Sequence, residues 1–284
     1  MGDVRFSLAI MYNDRHSRII SQMIRRPSTI LVAWLLWSWS TAGAESPPGV
    51  HLLCDNYGAI IRSDVIEKKL ALVFTGGSFG ESTGPILDAL KARSIRGGFF
   101  VTGEFLRQPA LRPLLERAIA EGHYVGPHSD THPLYCSWDD RVESLVTRAF
   151  FERDLSKNLA DLRALGALNR GQPVFFIPPY EWYNRDHVRW SRELGVTLIN
   201  FTPGSGSNRD YARESDPRFV PSQKIYDDIL VYEREDPHGL NGFILLMHLG
   251  SGRKDSFHHQ LGPLCDELSK RGYELVRVDK LLSR

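Results

Sequence analysis

Thiol chemistry is the first thing this sequence is short of. Among 284 residues there are three cysteines, Cys54, Cys136 and Cys265, widely separated and with no C-x-x-C pair. That excludes the usual thiolate zinc site. In an oxidising compartment three thiols allow one intramolecular bridge and leave one over; otherwise they serve as small buried hydrophobes. An excess of charge of one sign is missing too. Lys plus Arg number 35 against 34 Asp plus Glu, a formal net charge of +1, so no basic field is available to hold nucleic acid or an anionic membrane. Low-complexity tracts and internal repeats are absent. The apolar fraction of 42% is ordinary for a globular chain that buries a sizeable core.

Long apolar runs are also lacking, with one exception. Arg25 and Arg26 precede the run Ile30 to Trp39, which ends in the small residues Ala42, Gly43 and Ala44. This order is that of a signal peptide, and the run is short for a bilayer span. An uncleaved membrane anchor is the alternative. Residues 1–22 carry scattered charge and no such pattern, which makes Met23 the expected start of the leader. The twin arginines carry little weight as a folded-export signal, given Pro27 and the lack of a fuller motif. The expected organisation is a leader over 1–44, a lead-in segment over 45–68 and one large domain over 69–284, exported to the periplasm or beyond the cell.

From Lys69 onward the chain alternates strand-like and helix-like segments. Leu70 to Phe74 is a continuous apolar run, the pattern of a strand buried on both faces. Further strands are expected at 99–101, 123–126, 174–177, 197–201, 243–247 and 273–276. Amphipathic helices are expected between them, at 86–93, 109–120, 150–165, 186–194, 222–232 and 257–270. So regular an alternation calls for parallel strands with right-handed crossovers. About seven such units favour an α/β fold closed as a barrel over an open sheet. The one long irregular stretch, Thr202 to Pro221, follows a strand and should lie at the catalytic face.

Three strand ends carry chemistry. Gly126-Pro127-His128-Ser129-Asp130-Thr131-His132 places two imidazoles four residues apart. If Ser129 to His132 begins a helix, both rings share a face and can share a divalent ion such as zinc. Phe175-Phe176-Ile177-Pro178-Pro179-Tyr180-Glu181-Trp182-Tyr183 runs a buried strand into two stiffening prolines, then aromatics around one carboxylate. Aromatics beside polar groups suit sugar rings, although a rigid turn capped by core aromatics has the same composition. Ile244 to Gly250 ends a third buried strand in His248, in isolation as compatible with packing as with catalysis.

Taken together and in this order, the three resemble the polysaccharide deacetylases of carbohydrate esterase family four, the NodB homology domain. The likeness spans Lys69 to the end, and it implies a distorted (β/α) barrel. The H-S/T-x-x-H metal motif is intact as His128 to His132, and L-x-H is intact as Leu246, Met247 and His248. R-P-P-Y-G falls on Ile177, Pro178, Pro179, Tyr180 and Glu181, without its arginine. T-F-D-D-G falls on Val73, Phe74, Thr75, Gly76 and Gly77, without either aspartate. In the family those aspartates are the base that activates water and a metal ligand, and the arginine orients the base; here the positions hold Thr75, Gly76 and Ile177.

The resemblance implies hydrolysis of an acetamide on an N-acetylated glycan, helped by a divalent ion on His128 and His132. His248 would protonate the leaving amine and the backbone N–H of Tyr180 would help hold the oxyanion. Glu181 is the expected replacement for the missing aspartates, as base or third ligand, with Asp130 and then Glu104 as alternative ligands. Trp182 and Tyr183 would flank the sugar. Loss of both aspartates keeps two other readings open: a non-catalytic carbohydrate-binding protein on this scaffold, and a metal hydrolase of another small amide or ester.

Overall fold

The computed structural model describes residues 51–283; the expected leader lies outside the described residues. Nine strands and eight helices are found among them. In chain order the first part comprises β1 (Leu53–Cys54), β2 (Ile60–Arg62), β3 (Lys69–Gly76), α1 (Thr83–Lys91), β4 (Gly98–Val101), α2 (Gly103–Leu106), α3 (Arg112–Ala120) and β5 (Tyr124–Pro127). The second part comprises α4 (Arg148–Ala164), β6 (Phe175–Phe176), α5 (Arg185–Glu193), β7 (Thr197–Leu198), α6 (Ser222–Glu235), β8 (Phe243–His248), α7 (His258–Lys270), β9 (Glu274–Leu275) and α8 (Val278–Leu282).

Strands β1, β2, β8, β3, β4 and β5 lie in that order in one curled sheet, and β9 pairs with the start of β3. The central pairs β8–β3, β3–β4 and β4–β5 are parallel, and β2 meets β8 antiparallel. β6 and β7 form a separate parallel pair. Single contacts tie this pair to both flanks of the curl. On one side the Tyr124 hydroxyl accepts from Phe175 N–H at 2.7 Å. On the other, Ile60 bridges Ile199, and Asn200 N–H donates to the Ile60 carbonyl at 2.8 Å. The result is a curled half-barrel with a two-strand panel across its gap.

Strand periodicity decides which side chains reach the barrel interior. In β3, Leu70, Leu72 and Phe74 pack outward against the helices, whereas Ala71 and Val73 join the interior cluster. β8 follows the same rule, with Leu245 and Met247 outside and Ile244 and Leu246 inside. Continuing the alternation turns Thr75 and His248, which are ladder partners, toward the barrel mouth.

Pairing and packing of the sheet extend before Lys69, into the expected lead-in segment. Arg62 of β2 pairs with Phe243, its guanidinium donates to the Asn241 and Gly239 carbonyls, and Ser63 Oγ donates to the Leu281 carbonyl at 2.7 Å. No bridge joins the cysteines: Cys136 and Cys265 are buried and Cys54 is exposed, all three with free thiols. No helix among the described residues is long and apolar enough to cross a membrane.

Candidate active site

His128 leaves β5 with its backbone N–H aimed at the Val101 carbonyl (3.1 Å) and at Asn158 Oδ1 (3.0 Å). Its ring Nδ1 lies 2.7 Å from the Ile177 carbonyl. A carbonyl only accepts, so Nδ1 carries the proton and Nε2 keeps its lone pair, the tautomer a metal ligand requires. The His132 ring stands 5.0 Å away, centroid to centroid. Burial is the main reason that both imidazoles resist protonation. His128 is held well below the usual histidine range, with His132 and His248 adding to the effect, and His132 is lowered to about 4, with His248 adding to it. Both therefore stand neutral, as ligands must.

The rings do not meet by sharing a helical face. Ser129 and His132 have positive φ (74° and 54°), so the segment is a tight turn rather than the start of a helix, and in it His132 N–H donates to Ser129 Oγ at 3.0 Å. The turn is anchored by α4. Asp154 accepts from Asp130 N–H, Thr131 N–H and the Thr131 hydroxyl, at 3.0, 3.1 and 2.6 Å.

At the exit of β6, Pro178 and Pro179 lead into Tyr180 and Glu181, consecutive residues with φ of 58° and 53°. Left-handed non-glycine residues are costly and gather at functional sites. Here the turn is closed by Glu181 N–H to the Pro178 carbonyl and Trp182 N–H to the Pro179 carbonyl, at 3.0 and 3.2 Å. The Tyr180 ring, 43% exposed, packs 4.5 Å from His132. Glu181 is densely surrounded at the mouth. Burial, reinforced by the charge of Asp210 and partly offset by His248, raises its carboxyl to about 7.

His248 closes the site from β8. Its Nδ1 lies 2.6 Å from Asp210 Oδ1, and its backbone N–H donates to Asp210 Oδ2 at 2.9 Å. Burial opposes protonation, but the charge and hydrogen bond of Asp210, with the charge of Glu181, outweigh it and raise the imidazole above its ordinary value. Asp210 was not legible in the sequence. The Thr202 to Pro221 loop could be assigned to the catalytic face, but no spacing singles out one carboxylate within it.

Two neutral imidazoles fit a divalent ion at two positions. Among the described residues no third His, Cys, Asp or Glu joins them in a metal-holding group. Each proposed third ligand has another environment. Glu181 feels the charges of His248 and Asp210. Asp130 is spent on Arg107 at 2.6 Å, and Glu104 is exposed in the first turn of α2. Thr75 stands where the resemblance expects the base, buried and with no hydrogen-bond partner for its hydroxyl.

Of the two expected sugar-flanking aromatics, Tyr183 is fully buried in a core cluster and its hydroxyl donates to Asp55 at 2.7 Å, so it supports the floor and meets no sugar. Trp182 is half-buried, stacked on Trp138 at 5.1 Å, with the Arg141 guanidinium 3.9 Å from its ring. Trp138, which the sequence did not single out, also meets the Tyr180 ring edge-on at 6.0 Å.

The sequence pattern described as polysaccharide deacetylase matches residues 62–199. The chain is 34% identical over 258 residues to peptidoglycan-N-acetylmuramic acid deacetylase PdaA of Bacillus subtilis (strain 168), covering 87% of this chain and 85% of that one. It is 25% identical over 221 residues to a peptidoglycan-N-acetylglucosamine deacetylase of Bacillus cereus, covering 76% and 89%. It spans only 37% of an uncharacterized 30.6 kDa protein of Geobacillus stearothermophilus, to which it is 35% identical over 101 residues. Among solved structures, Bacillus subtilis PdaA, a family 4 carbohydrate esterase, superposes with a TM-score of 0.62 at 23% identity, covering 80% of this chain and 85% of that one. A family 4 pseudoenzyme from Bacillus anthracis superposes with a TM-score of 0.61 at 19% identity, covering 80% and 70%.

Proposed function

From the premise that this chain belongs to the polysaccharide deacetylase family, we propose that it removes acetyl groups from an N-acetylated glycan of the peptidoglycan type outside the cytoplasm. The observation that carries the reading is the group Asp210–His248–Glu181: an imidazole held ready to give up a proton, beside a carboxyl titrating near neutrality. An imidazole that holds its proton beside a carboxyl whose basicity is raised toward neutrality is the acid and base pair that acetamide hydrolysis requires.

His128 and His132 are the residues that would hold a divalent ion, zinc by donor type, which when bound supplies Lewis acidity to the acetyl carbonyl. Glu181 takes a proton from the attacking water. The Tyr180 backbone N–H steadies the oxyanion, and His248 gives its proton to the departing amine, so that water and acetamide become acetate and amine. The exposed Tyr180 ring and the edge of Trp182 flank the sugar.

The missing third donor and the lone Thr75 hydroxyl favour a second reading, glycan recognition without turnover. Acetate release from peptidoglycan strands, measured with zinc and after chelation, separates the two. Zinc-dependent release that disappears in His128→Ala and His248→Ala supports the enzyme. Glycan binding without release in any metal selects the second reading.

A further inference from the structure

Beside the His248 site lies an open cleft of about 550 Å³, whose lining includes Phe79, Tyr211, Arg213, Asp216, Arg218 and Ser251. Tyr211 links the two, since its ring lies 6.1 Å from His248. The acidic groups around this cleft already have partners. Asp216 is bidentate with Arg218, at 2.9 and 2.7 Å. Glu81 accepts from Ser251 and Gly252 N–H, and Glu214 from Lys254 and Asp255 N–H.

Arg213 is different. Its Nε donates to the Ser251 carbonyl at 2.9 Å and its guanidinium lies 4.6 Å from the Phe79 ring, which fix its orientation. No carboxylate among the described residues pairs with it, so its terminal N–H groups remain for a ligand. A fixed, unpaired guanidinium fork above an aromatic floor matches a planar carboxylate carried on a sugar ring.

We propose that Arg213 is a specificity residue that receives a carboxylate carried by the glycan within one sugar of the scissile acetamide, while Phe79 and Tyr211 receive the ring. The inference rests on the glycan reading above and narrows it to acidic N-acetylated glycans. The carboxylate can belong to an ether substituent on the sugar or to an attached peptide.

Calorimetric titration of the full chain tests it with four tetrasaccharide probes: peptidoglycan strands with and without stem peptides, the peptide-free strand with its carboxyls reduced, and chitotetraose. The parent should bind at least one acidic strand about tenfold more tightly than chitotetraose, a difference of ~1.4 kcal/mol. Added salt should narrow the gap. In Arg213→Gln the two affinities should converge. An advantage kept by the peptide-free strand and lost on reduction assigns the carboxylate to the sugar; an advantage confined to the intact strand assigns it to the peptide. Equal binding of acidic and neutral probes by the parent, or a gap that survives in Arg213→Gln, overturns this inference and leaves the glycan reading standing. Failure to bind any probe overturns both.

Discussion

A Cβ built at Gly77 would lie 4.0 Å from His132 Cδ2, its only near neighbour, whereas one at Gly76 would lie 2.8 Å from both Leu249 Cδ1 and Phe105 Cδ2. Strand alternation explains the contrast, since position 76 points out toward the helices. The resemblance assigns the missing metal-binding aspartate to position 76, but the open approach to the histidines is at 77. Gly77→Asp should therefore raise zinc affinity tenfold or more by calorimetry. Gly76→Asp should fail to do so and cost about 1–3 kcal/mol in urea unfolding through overpacking. No gain in affinity for Gly77→Asp would remove the geometric argument. Glu181 makes a second prediction at this scale. Activity should rise as pH passes about 7 and the carboxyl ionises, then fall as His248 loses its proton; Glu181→Gln should abolish the turnover while retaining zinc. The same shift sets a sign for stability. The folded-state value near 7 lies above the ordinary 4.5, so the group's contribution is full below about 4.5 and lost as pH rises through 7. Glu181→Gln should thus gain on the parent between pH 5 and pH 8 in chemical unfolding; an unchanged difference would mean that the carboxyl titrates normally.

Helix α4 shows what an element contributes to a site it never enters. Asp154 and Asn158 face inward from its middle, buried, and hold the backbone of the His128 to His132 turn. Asp154→Ala leaves two backbone N–H groups and a hydroxyl without their acceptor, which should cost about 1–3 kcal/mol and weaken zinc binding together with stability. Wild-type zinc affinity in that variant would show that the turn holds itself. None of this was legible beforehand, because a mid-helix aspartate far along the chain looks like a solvated face. The strands were legible wherever β3, β4 and β8 carry several apolar residues in succession. Strands β1 and β2, of two and three residues, are too short to show a period. The histidine turn does not take the helical option that four-residue spacing allows, and positive φ at Ser129 and His132 leaves no mark in composition.

For the whole molecule, the curl depends on β2. Besides Ile60 and Arg62, the segment supplies the Ile61 carbonyl, which accepts from the Thr202 hydroxyl at 2.5 Å. A chain beginning at Lys69 should lose cooperative thermal unfolding, while one beginning at His51 should keep it; equal melting of the two would show that the fold does not need the segment before Lys69. The group that orients His128 is the main-chain oxygen of residue 177, which every amino acid supplies equally. The side chain there, arginine where the resemblance expects it and isoleucine here, can be exchanged without removing this hydrogen bond to the imidazole. An oriented His128 is then no record of what side chain stands at position 177.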